Sequence, residues 1–360
     1  MSTIFAFDDF KSKRHFPCLD GIRCLSIVAV MYFHYSFADP RLGRLGVDLF
    51  FILSGFLITT LLLREREAFG RISLRDFWMR RILRIFPIYY GFILVQVMIT
   101  RFFEFDSTIV SDFYSNLPAF LTFTNNWFVH ISKENPTIFY HAWSLAAEEQ
   151  FYLFWPPLLL LLISIRSLLL IPLLLILIDL ATTQLVSRGV ISLGIDGNSF
   201  ITSLQPAICL GLLAAVILHH RKTFNLVTSF LSNSWLPAAA LVAAIAFIAA
   251  GTVSIFVHIL LTVFLASIIT GRDRLLSPVL GNPIAEFLGR ISYGMYIFHM
   301  AAVNVIKKIV FPNHMPDEPV VIISAFALTI VVATASFYLY ERPILALRTR
   351  FRPQATAANE

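Results

Sequence analysis

A histidine and an arginine share one face of the first long apolar segment. Arg23 and His34 are eleven residues apart, which in an α-helix is a net rotation of about 20° and a rise of roughly 16 Å. A charge at the centre of a membrane helix costs at least ~2.5 kcal/mol, so each ionisable residue there is a functional hypothesis. The imidazole of His34 has the chemistry of a base or of a nucleophile. Taken alone, a helical histidine is more often a packed polar residue.

The second apolar segment begins with a carboxylate. Gly46-Val47-Asp48 puts Asp48 at the start of a helix, and a short loop would bring it to about the depth of His34. We expect Asp48 to orient His34 and raise its basicity, the usual role of a carboxylate beside an imidazole. The alternative is an N-terminal carboxylate that only compensates the helix dipole.

Two adjacent carboxylates, Glu148 and Glu149, lie inside the fourth apolar segment. In helical projection Glu148 and Tyr152 lie about 20° to either side of His141, and Ser144 is one turn from Glu148. A helix cap in water accounts for His141 and Ser144. It does not account for two carboxylates about two turns deep. We therefore predict that this segment carries functional residues.

An arginine-rich loop precedes the third apolar segment and ends with Arg80-Arg81-Ile82-Leu83-Arg84. Arg81 and Arg84 are one helical turn apart and could converge on a phosphate, which guanidinium groups bind bidentately. A membrane protein also needs basic residues in such a loop to set its orientation. The spacing favours neither use over the other.

The composition predicts the elements that position these residues. Of 360 residues 58% are apolar and 14% charged, and the mean hydropathy is +0.76, which excludes a water-soluble fold. Long apolar runs in lipid must pair their own backbone groups, so we predict an all-α membrane protein with about ten transmembrane helices. The predicted spans are 17–37, 46–63, 84–103, 142–164, 167–186, 200–219, 233–251, 252–271, 289–310 and 319–340.

The lysines and arginines orient these spans. Most of the 28 lie beside the spans on one side, and the opposite loops hold Arg41, Arg44, Lys133 and Arg188. Basic residues favour the cytoplasmic side, so we predict cytoplasmic tails at 1–16 and 346–360 around a membrane domain at 17–345. The first span is predicted to be retained, because Asp20 and Arg23 interrupt it and no small-residue cleavage site follows. The net charge of +6 then reflects topology, and nucleic acid is not an expected partner.

The long outer segment 104–141 is rich in aromatic residues, including Trp127 and Phe128. A partial lid and an interfacial aromatic anchor are equally compatible with it. The three cysteines, Cys18, Cys24 and Cys209, are odd in number and lack ligand spacing. We expect no disulfide framework and no metal site.

Several segments together resemble acyltransferase family 3, the bacterial membrane acyltransferases that modify exported or surface glycans. The resemblance runs from about residue 17 to 345. The segments that carry it are Leu19-Asp20-Gly21-Ile22-Arg23 to Phe33-His34, Gly46 to Phe56, Arg81-x-x-Arg84, Trp143-Ser144-Leu145 to Glu149-Gln150-Phe151-Tyr152, Leu288-Gly289 to His299, and Tyr340-Glu341-Arg342-Pro343.

This resemblance implies an acyl-CoA, commonly acetyl-CoA, as co-substrate rather than as a tightly bound cofactor. The implied acceptor is a sugar hydroxyl of an exopolysaccharide, lipopolysaccharide or lipo-oligosaccharide, at the bacterial inner membrane. Arg23 and His34 match the family's Arg-x10-His pattern, which implies His34 as catalytic base or acyl carrier. Arg81 and Arg84 match the pattern expected to hold the donor's phosphates. Cys24 departs from the family, which more often has glycine there.

Three points are left open by the sequence. A transporter or flippase also carries intramembrane charges, although the internal repeats often found in transporters are missing from the sequence. The sequence contains no pattern that identifies the acyl chain, the glycan acceptor or the oligomeric state. We interpret His299 as a packed histidine and Glu341-Arg342-Pro343 as a helix stop.

Overall fold

The computed structural model of the chain consists of α-helices, and the part that it describes contains no strand. The described residues are 7–13, 16, 18–36, 40–102, 107–129, 137–162, 164–190, 205–231, 233–251, 255–270, 275–315 and 317–351. The predicted all-α fold is confirmed for these residues.

Sixteen α-helices follow one another along the described residues. In the first half they are α1 (Phe7–Ser12), α2 (Cys18–Ser36), α3 (Pro40–Phe69), α4 (Leu74–Phe102), α5 (Ser107–Leu121), α6 (Asn125–Phe128), α7 (Trp143–Leu161) and α8 (Ile165–Ser187). In the second half they are α9 (Pro206–His219), α10 (Arg221–Leu231), α11 (Leu236–Ala249), α12 (Ile255–Thr270), α13 (Ser277–Leu280), α14 (Pro283–Val305), α15 (Pro319–Ser336) and α16 (Arg342–Ala346).

Every segment predicted as a span contains a helix. Among the described residues, four helical stretches are long and apolar enough to cross a membrane: Gly43–Phe69, Leu74–Phe102, Ile165–Ser187 and Pro319–Phe351. The pair α9 and α10, bent by 109°, would make a fifth if it forms one broken span. The helices α11 and α12 have 14 and 16 residues and rise only about 21 and 24 Å, less than a bilayer core. The membrane character is confirmed, whereas ten spans and the terminal orientation stay predictions.

Some sequence-based assignments lie outside the described residues. These are most of the two tails (1–6, 14–15 and 352–360) and the basic loop residues Lys133, Arg272 and Arg274. Arg41 and Arg44 were expected in an outer loop, but both lie in the first two turns of α3, which begins at Pro40. The side of the membrane that they face stays a prediction. Proline at the first helical position has a φ suited to the helix and needs no N–H partner, so α3 begins earlier than the apolar run.

The first of two compact units comprises residues 1–64 and 206–337. In it α2 and α14 approach backbone to backbone, because a Cβ at Gly289 would overlap the Asp20 carbonyl. Only glycine leaves room for such an approach. Further along the same two helices His34 meets His299. The helices α2 and α14 therefore run parallel.

The second unit comprises residues 65–205 and 338–360. In it α4 binds α7 and the C-terminal segment through side chain to backbone hydrogen bonds. Trp78 Nε1 donates to the Tyr152 carbonyl at 3.1 Å, and the Tyr340 hydroxyl donates to the Pro87 carbonyl at 3.2 Å. Pro156 has no N–H to donate to the Tyr152 carbonyl one turn back, so this carbonyl is free to accept from Trp78.

The aromatic segment 104–141 packs onto α4 of the second unit in its described parts. Phe123 stacks on Tyr89 with ring centroids 4.3 Å apart, and the Tyr89 hydroxyl donates to the Phe120 carbonyl at 2.9 Å. Phe123 and Phe139 have φ values of 53° and 68°, a conformation that is rare for bulky residues and needs surrounding contacts to hold it. Phe113, Phe120, Phe123 and Phe139 of this segment are buried, whereas Phe128 is exposed. The predicted use of the segment as a lid or anchor stays open.

Candidate active site

His34 lies in the last turns of α2 and is half-buried. Two of the groups that contact it lie near the same ring nitrogen, Nδ1. Its Nδ1 lies 2.9 Å from the Val30 carbonyl oxygen, one turn back along the same helix. The same Nδ1 lies 3.3 Å from Nε2 of His299 on α14. A backbone carbonyl only accepts, so Nδ1 of His34 carries the proton and donates.

His299 completes the assignment of tautomers. It is fully buried, at 0% exposure, and its Nδ1 lies 2.6 Å from the Tyr296 carbonyl oxygen, to which it donates. In a neutral imidazole the other nitrogen is an acceptor, so Nε2 of His299 accepts from His34. This network places the lone pair of His34 on Nε2. Nε2 is the atom that can take a proton or attack a carbonyl carbon.

The sequence predicted that His299 is a packed histidine. It is packed, but against the ring of His34, with ring centroids 4.9 Å apart. The two histidines are 265 residues apart in the chain. A signal was present, since His299 closes the Leu288-Gly289 to His299 segment, and Gly289 is the residue that lets α14 reach α2.

Arg23 lies on the same helix as His34, as predicted, toward the other end of α2. Its guanidinium forms an ion pair with Asp20 at 2.5 Å, one turn back. Both side chains are largely but not fully buried. The paired carboxylate offsets the charge that a membrane helix would otherwise bury alone. Donor binding by Arg23 stays a prediction.

Asp48 is deeply buried in α3, at 1% exposure. Its Oδ1 accepts from Arg44 Nε at 3.0 Å, and its Oδ2 lies 3.1 Å from Nε2 of His258 on α12. The carboxylate does meet an imidazole, as the sequence suggested. The imidazole defined by these contacts is that of His258, and orientation of His34 by Asp48 stays a prediction.

The predicted carboxylates Glu148 and Glu149 lie in α7, both half-buried. The Tyr152 hydroxyl donates to Glu148 Oε2 at 3.2 Å, one turn along the helix, which agrees with their predicted common face. Glu149 is close enough to Arg81 for electrostatic attraction. Such a carboxylate can hold a proton or accept from a hydroxyl.

His141 and Ser144 were both expected on the helix of Glu148, but only Ser144 lies in it. The helix α7 begins at Trp143, and His141 lies in a 3₁₀ turn (Tyr140–Ala142) that follows the left-handed Phe139. A helical projection from His141 is therefore not valid, because the α-helical period starts two residues later. Ser144 is in the helix, one turn before Glu148, and both His141 and Ser144 are buried. Burial raises the pKa of the neighbouring Tyr140 to about 12, so its hydroxyl stays protonated at neutral pH.

Arg81 and Arg84 lie one turn apart on α4, as predicted. The guanidinium of Arg81 lies over the rings of Phe77 and Tyr152, 5.7 and 5.6 Å from their centroids. These two cation–π contacts stabilise the guanidinium beside the rings. Both arginines remain half-buried, and their use as phosphate ligands stays a prediction.

Arg80 has a structural role within the same basic run. It donates to the Phe351 carbonyl at 2.6 Å and to Glu65 Oε2 at 3.2 Å. These bonds tie the C-terminal segment and the Glu65 region to α4. The basic run therefore combines an anchoring arginine with the two that the family resemblance assigns to the phosphates of the donor.

The predicted residues fall into two groups, one in each unit. Arg23, His34 and Asp48 belong to the first unit, with His299 and His258 added by the structure. The second unit contains the others, which are Arg81, Arg84, His141, Ser144, Glu148 and Glu149. Within the described residues, no group of three His, Cys, Asp or Glu side chains has the arrangement of a metal site.

The acyltransferase domain family matches residues 16–338, a range that includes every residue of both groups. The chain belongs to this acyltransferase family. The match extends over the helices from α2 to α15 and so includes residues of both units.

Three relatives match different lengths of the chain. Peptidoglycan O-acetyltransferase OatA of Listeria monocytogenes is 38% identical over 156 residues, which are 41% of this chain and 25% of the relative. A protein of Staphylococcus aureus assigned provisionally as an O-acetyltransferase is 26% identical over 362 residues, 95% of this chain and 59% of the relative. A Bacillus subtilis protein, YrhL, assigned provisionally as a peptidoglycan O-acetyltransferase, is 37% identical over 151 residues, 40% of this chain and 23% of that protein. The chain thus spans less than two thirds of each of these relatives, and no solved structure matches it.

Proposed function

We propose that this chain is a multi-pass O-acyltransferase of the bacterial inner membrane that transfers an acyl group from acyl-CoA to a sugar hydroxyl. Acetyl is the proposed group, since the relatives are named for O-acetyl transfer. The proposed acceptor is a surface or exported glycan: an exopolysaccharide, a lipopolysaccharide, a lipo-oligosaccharide, or peptidoglycan as in the relatives' names. Ten spans with both termini in the cytoplasm form part of this proposal.

The observation that carries the proposal is the defined tautomer of His34. Two acceptors on Nδ1–H leave the lone pair on Nε2. An imidazole held in one tautomer and one orientation is the form that general-base and acyl-carrier histidines require. Family membership and this geometry support the same chemistry independently.

The reaction at His34 is proposed to follow one of two courses. In one, Nε2 removes the proton of the sugar hydroxyl as its oxygen attacks the thioester carbonyl. In the other, Nε2 attacks the thioester itself, the C–S bond breaks, and the acyl group passes to the sugar afterwards. His299 stabilises either form, because its Nε2 accepts from the imidazole whose positive charge develops.

Glycan analysis tests the function as a whole. Surface and secreted glycans from cells with and without this protein are compared by mass spectrometry. The expected result is the loss of an acyl mass increment when the protein is missing. Unchanged acylation together with loss of an unmodified solute from one side of the membrane would instead support a transporter.

Donor binding is tested by conservative substitution of Arg81 and Arg84 by lysine. Lysine keeps the charge but loses the planar fork and, at Arg81, the stacking on two rings. Since charge-assisted hydrogen bonds contribute about 1.5–3 kcal/mol, each change is expected to raise the KM for acetyl-CoA about tenfold or more, with kcat little changed.

The matched control for these two variants is Arg75→Lys, an exposed position in the first turn of the same helix. KM is measured in membranes from the rate of thiol release from acetyl-CoA. A KM for Arg81→Lys and Arg84→Lys equal to that of Arg75→Lys would contradict donor binding at this pair.

A further inference from the structure

A lysine lies on the helix of His299, beyond the point where that helix meets His34. Lys307 follows His299 by eight residues, which in a helix is a rise of about 12 Å. The helix α14 continues directly into a π-helical turn (Ile306–Val310), whose first N–H still donates to backbone carbonyls of α14. Such π turns inside a helix are frequent at functional sites. Lys307 therefore belongs to the same continuous element as His299.

The face of α14 that carries His299 stays buried up to the position of Lys307. Val303 and Ile306, about one and two turns beyond His299, are 1% and 5% exposed. Lys307 is half-buried at the edge of this face, whereas the next residue, Lys308, is exposed. Eight residues of α-helix leave Lys307 about 80° from His299 in projection. A π turn has more residues per turn and rotates less per residue, which moves Lys307 closer to the face of His299.

The helix α2 ends where Lys307 begins to reach over it. Its last residue is Ser36, two residues after His34. Since α2 and α14 run parallel and meet at His34 and His299, Lys307 lies beyond the last turn of α2. A long helical side chain points back toward the start of its own helix, which directs the ammonium group of Lys307 toward His34. The two side chains are close enough for electrostatic repulsion between the ammonium group and a protonated imidazole.

A cation beside His34 does not by itself help this imidazole to react. Positive charge develops on the ring both when it removes a proton and when it takes an acyl group, and a neighbouring ammonium group opposes that charge. The opposition is offset if a negative charge forms between the two groups. Acyl transfer forms such a charge, because attack on a thioester moves an electron pair onto the carbonyl oxygen.

A lysine at the end of a membrane helix can also place its ammonium group among lipid head groups. The exposed side chain of Lys308, in the same π turn, suits that use. Lys307 differs from it in being half-buried and in lying beside His34. The two neighbouring lysines thus provide one candidate for the reaction and one matched control.

We propose that Lys307 is a catalytic residue whose ammonium group binds the oxyanion that forms at His34 during acyl transfer. This inference rests on the proposed function. The attacking atom is the sugar hydroxyl oxygen or Nε2 of His34. It forms a bond to the thioester carbon, and the electron pair of the carbonyl π bond moves to the oxygen. Nζ–H of Lys307 donates a hydrogen bond to this oxygen and keeps its proton.

The oxyanion then returns its electron pair to the carbon, the C–S bond breaks, and the bonding pair leaves with the sulfur. Where His34 is the base, the sulfur takes the hydroxyl proton from Nε2. Where His34 carries the acyl group, the sulfur takes a proton from water. The sugar hydroxyl afterwards adds to the acyl carbon, the C–N bond breaks with its electron pair returning to Nε2, and the hydroxyl proton passes to solvent. Both courses form an oxyanion at the same place, so the role of Lys307 is the same in each.

The test compares Lys307→Met, Lys307→Arg and Lys308→Met. Methionine keeps an unbranched side chain but removes the ammonium group, and arginine keeps a positive charge with N–H donors. Lys308→Met makes the same change one residue further on, at an exposed position. For each variant kcat and the KM for acetyl-CoA are measured from the transfer of labelled acetyl groups to glycan in membranes, divided by the amount of folded protein.

Lys307→Met is expected to lower kcat about 10²–10³-fold, the loss typical when one oxyanion donor is removed, with the KM for acetyl-CoA changed less than about twofold. Lys307→Arg should keep at least about a tenth of kcat, and Lys308→Met should match the unchanged protein. Equal kcat values for Lys307→Met and Lys308→Met would overturn the inference. Equal losses for Lys307→Met and Lys307→Arg, or a raised KM with unchanged kcat, would overturn it as well. Failure of the proposed function is distinguishable, because the unchanged protein would then transfer no acetyl group.

Discussion

Replacing His34 by glutamine is expected to lower acyl transfer by about 10³–10⁴-fold, the loss typical when a reacting base or nucleophile is removed. Glutamine offers no basic nitrogen at the position of Nε2, where the tautomer places the lone pair. The measurement is the initial rate of transfer from labelled acetyl-CoA to glycan in membranes, divided by the amount of folded protein.

His219→Gln is the matched control for this substitution. His219 is also buried in the first unit, and its Nδ1 also lies near the carbonyl of the residue one turn back, 2.8 Å from Ala215. The two changes thus remove the same ring from the same local helical geometry. Equal, small effects of both changes would contradict the assignment of His34 as the reacting group.

The second largest effect is expected at His299, which acts through His34 and is a positioning residue. His299→Phe keeps an aromatic ring at this buried position but removes the acceptor for His34 Nδ1–H. The ring of His34 then loses one of the bonds that orient it, and the positive charge that develops on it loses a partner. We expect transfer to fall on the order of 10²–10³-fold, less than for His34→Gln because the Val30 carbonyl still binds Nδ1–H.

His299→Gln distinguishes positioning from packing. Its amide oxygen can accept at the place of Nε2, so this variant should keep at least a tenth of the activity. The pattern to look for is a lowered kcat with an unchanged KM for acetyl-CoA, since no donor contact is removed. If His299→Phe and His299→Gln lost activity equally, with equal losses of folded protein, the role of His299 would be packing alone.

The local elements of this protein follow from its sequence. Apolar runs in lipid must close their own backbone hydrogen bonds, so each predicted span contains a helix in the structure. The shared face of Arg23 and His34, and the one-turn spacing of Arg81 and Arg84, needed only the helical period. Errors arose where a local signal replaced the apolar pattern: α3 begins early at Pro40, and the 3₁₀ turn at His141 delays α7.

The partners of the reacting side chains could not be obtained in the same way. Asp48 was expected beside His34, and the structure pairs it with His258, which is 210 residues away in the chain. The sequence identified the carboxylate and its depth, but several histidines could have met it. Which one does so depends on how α12 packs against α3.

The sequence by itself thus determined the membrane class, the helices, the family and the positions of His34, Arg23 and the arginine pair, because each depends on composition or on neighbours within one helix. Only the tertiary structure determined that His299 on α14 is the second acceptor for Nδ1–H of His34. That contact requires α14 to lie against α2, and this approach depends on the absence of a single side chain at Gly289. Contacts between helices are set by such packing, which the periodicity of one helix does not encode.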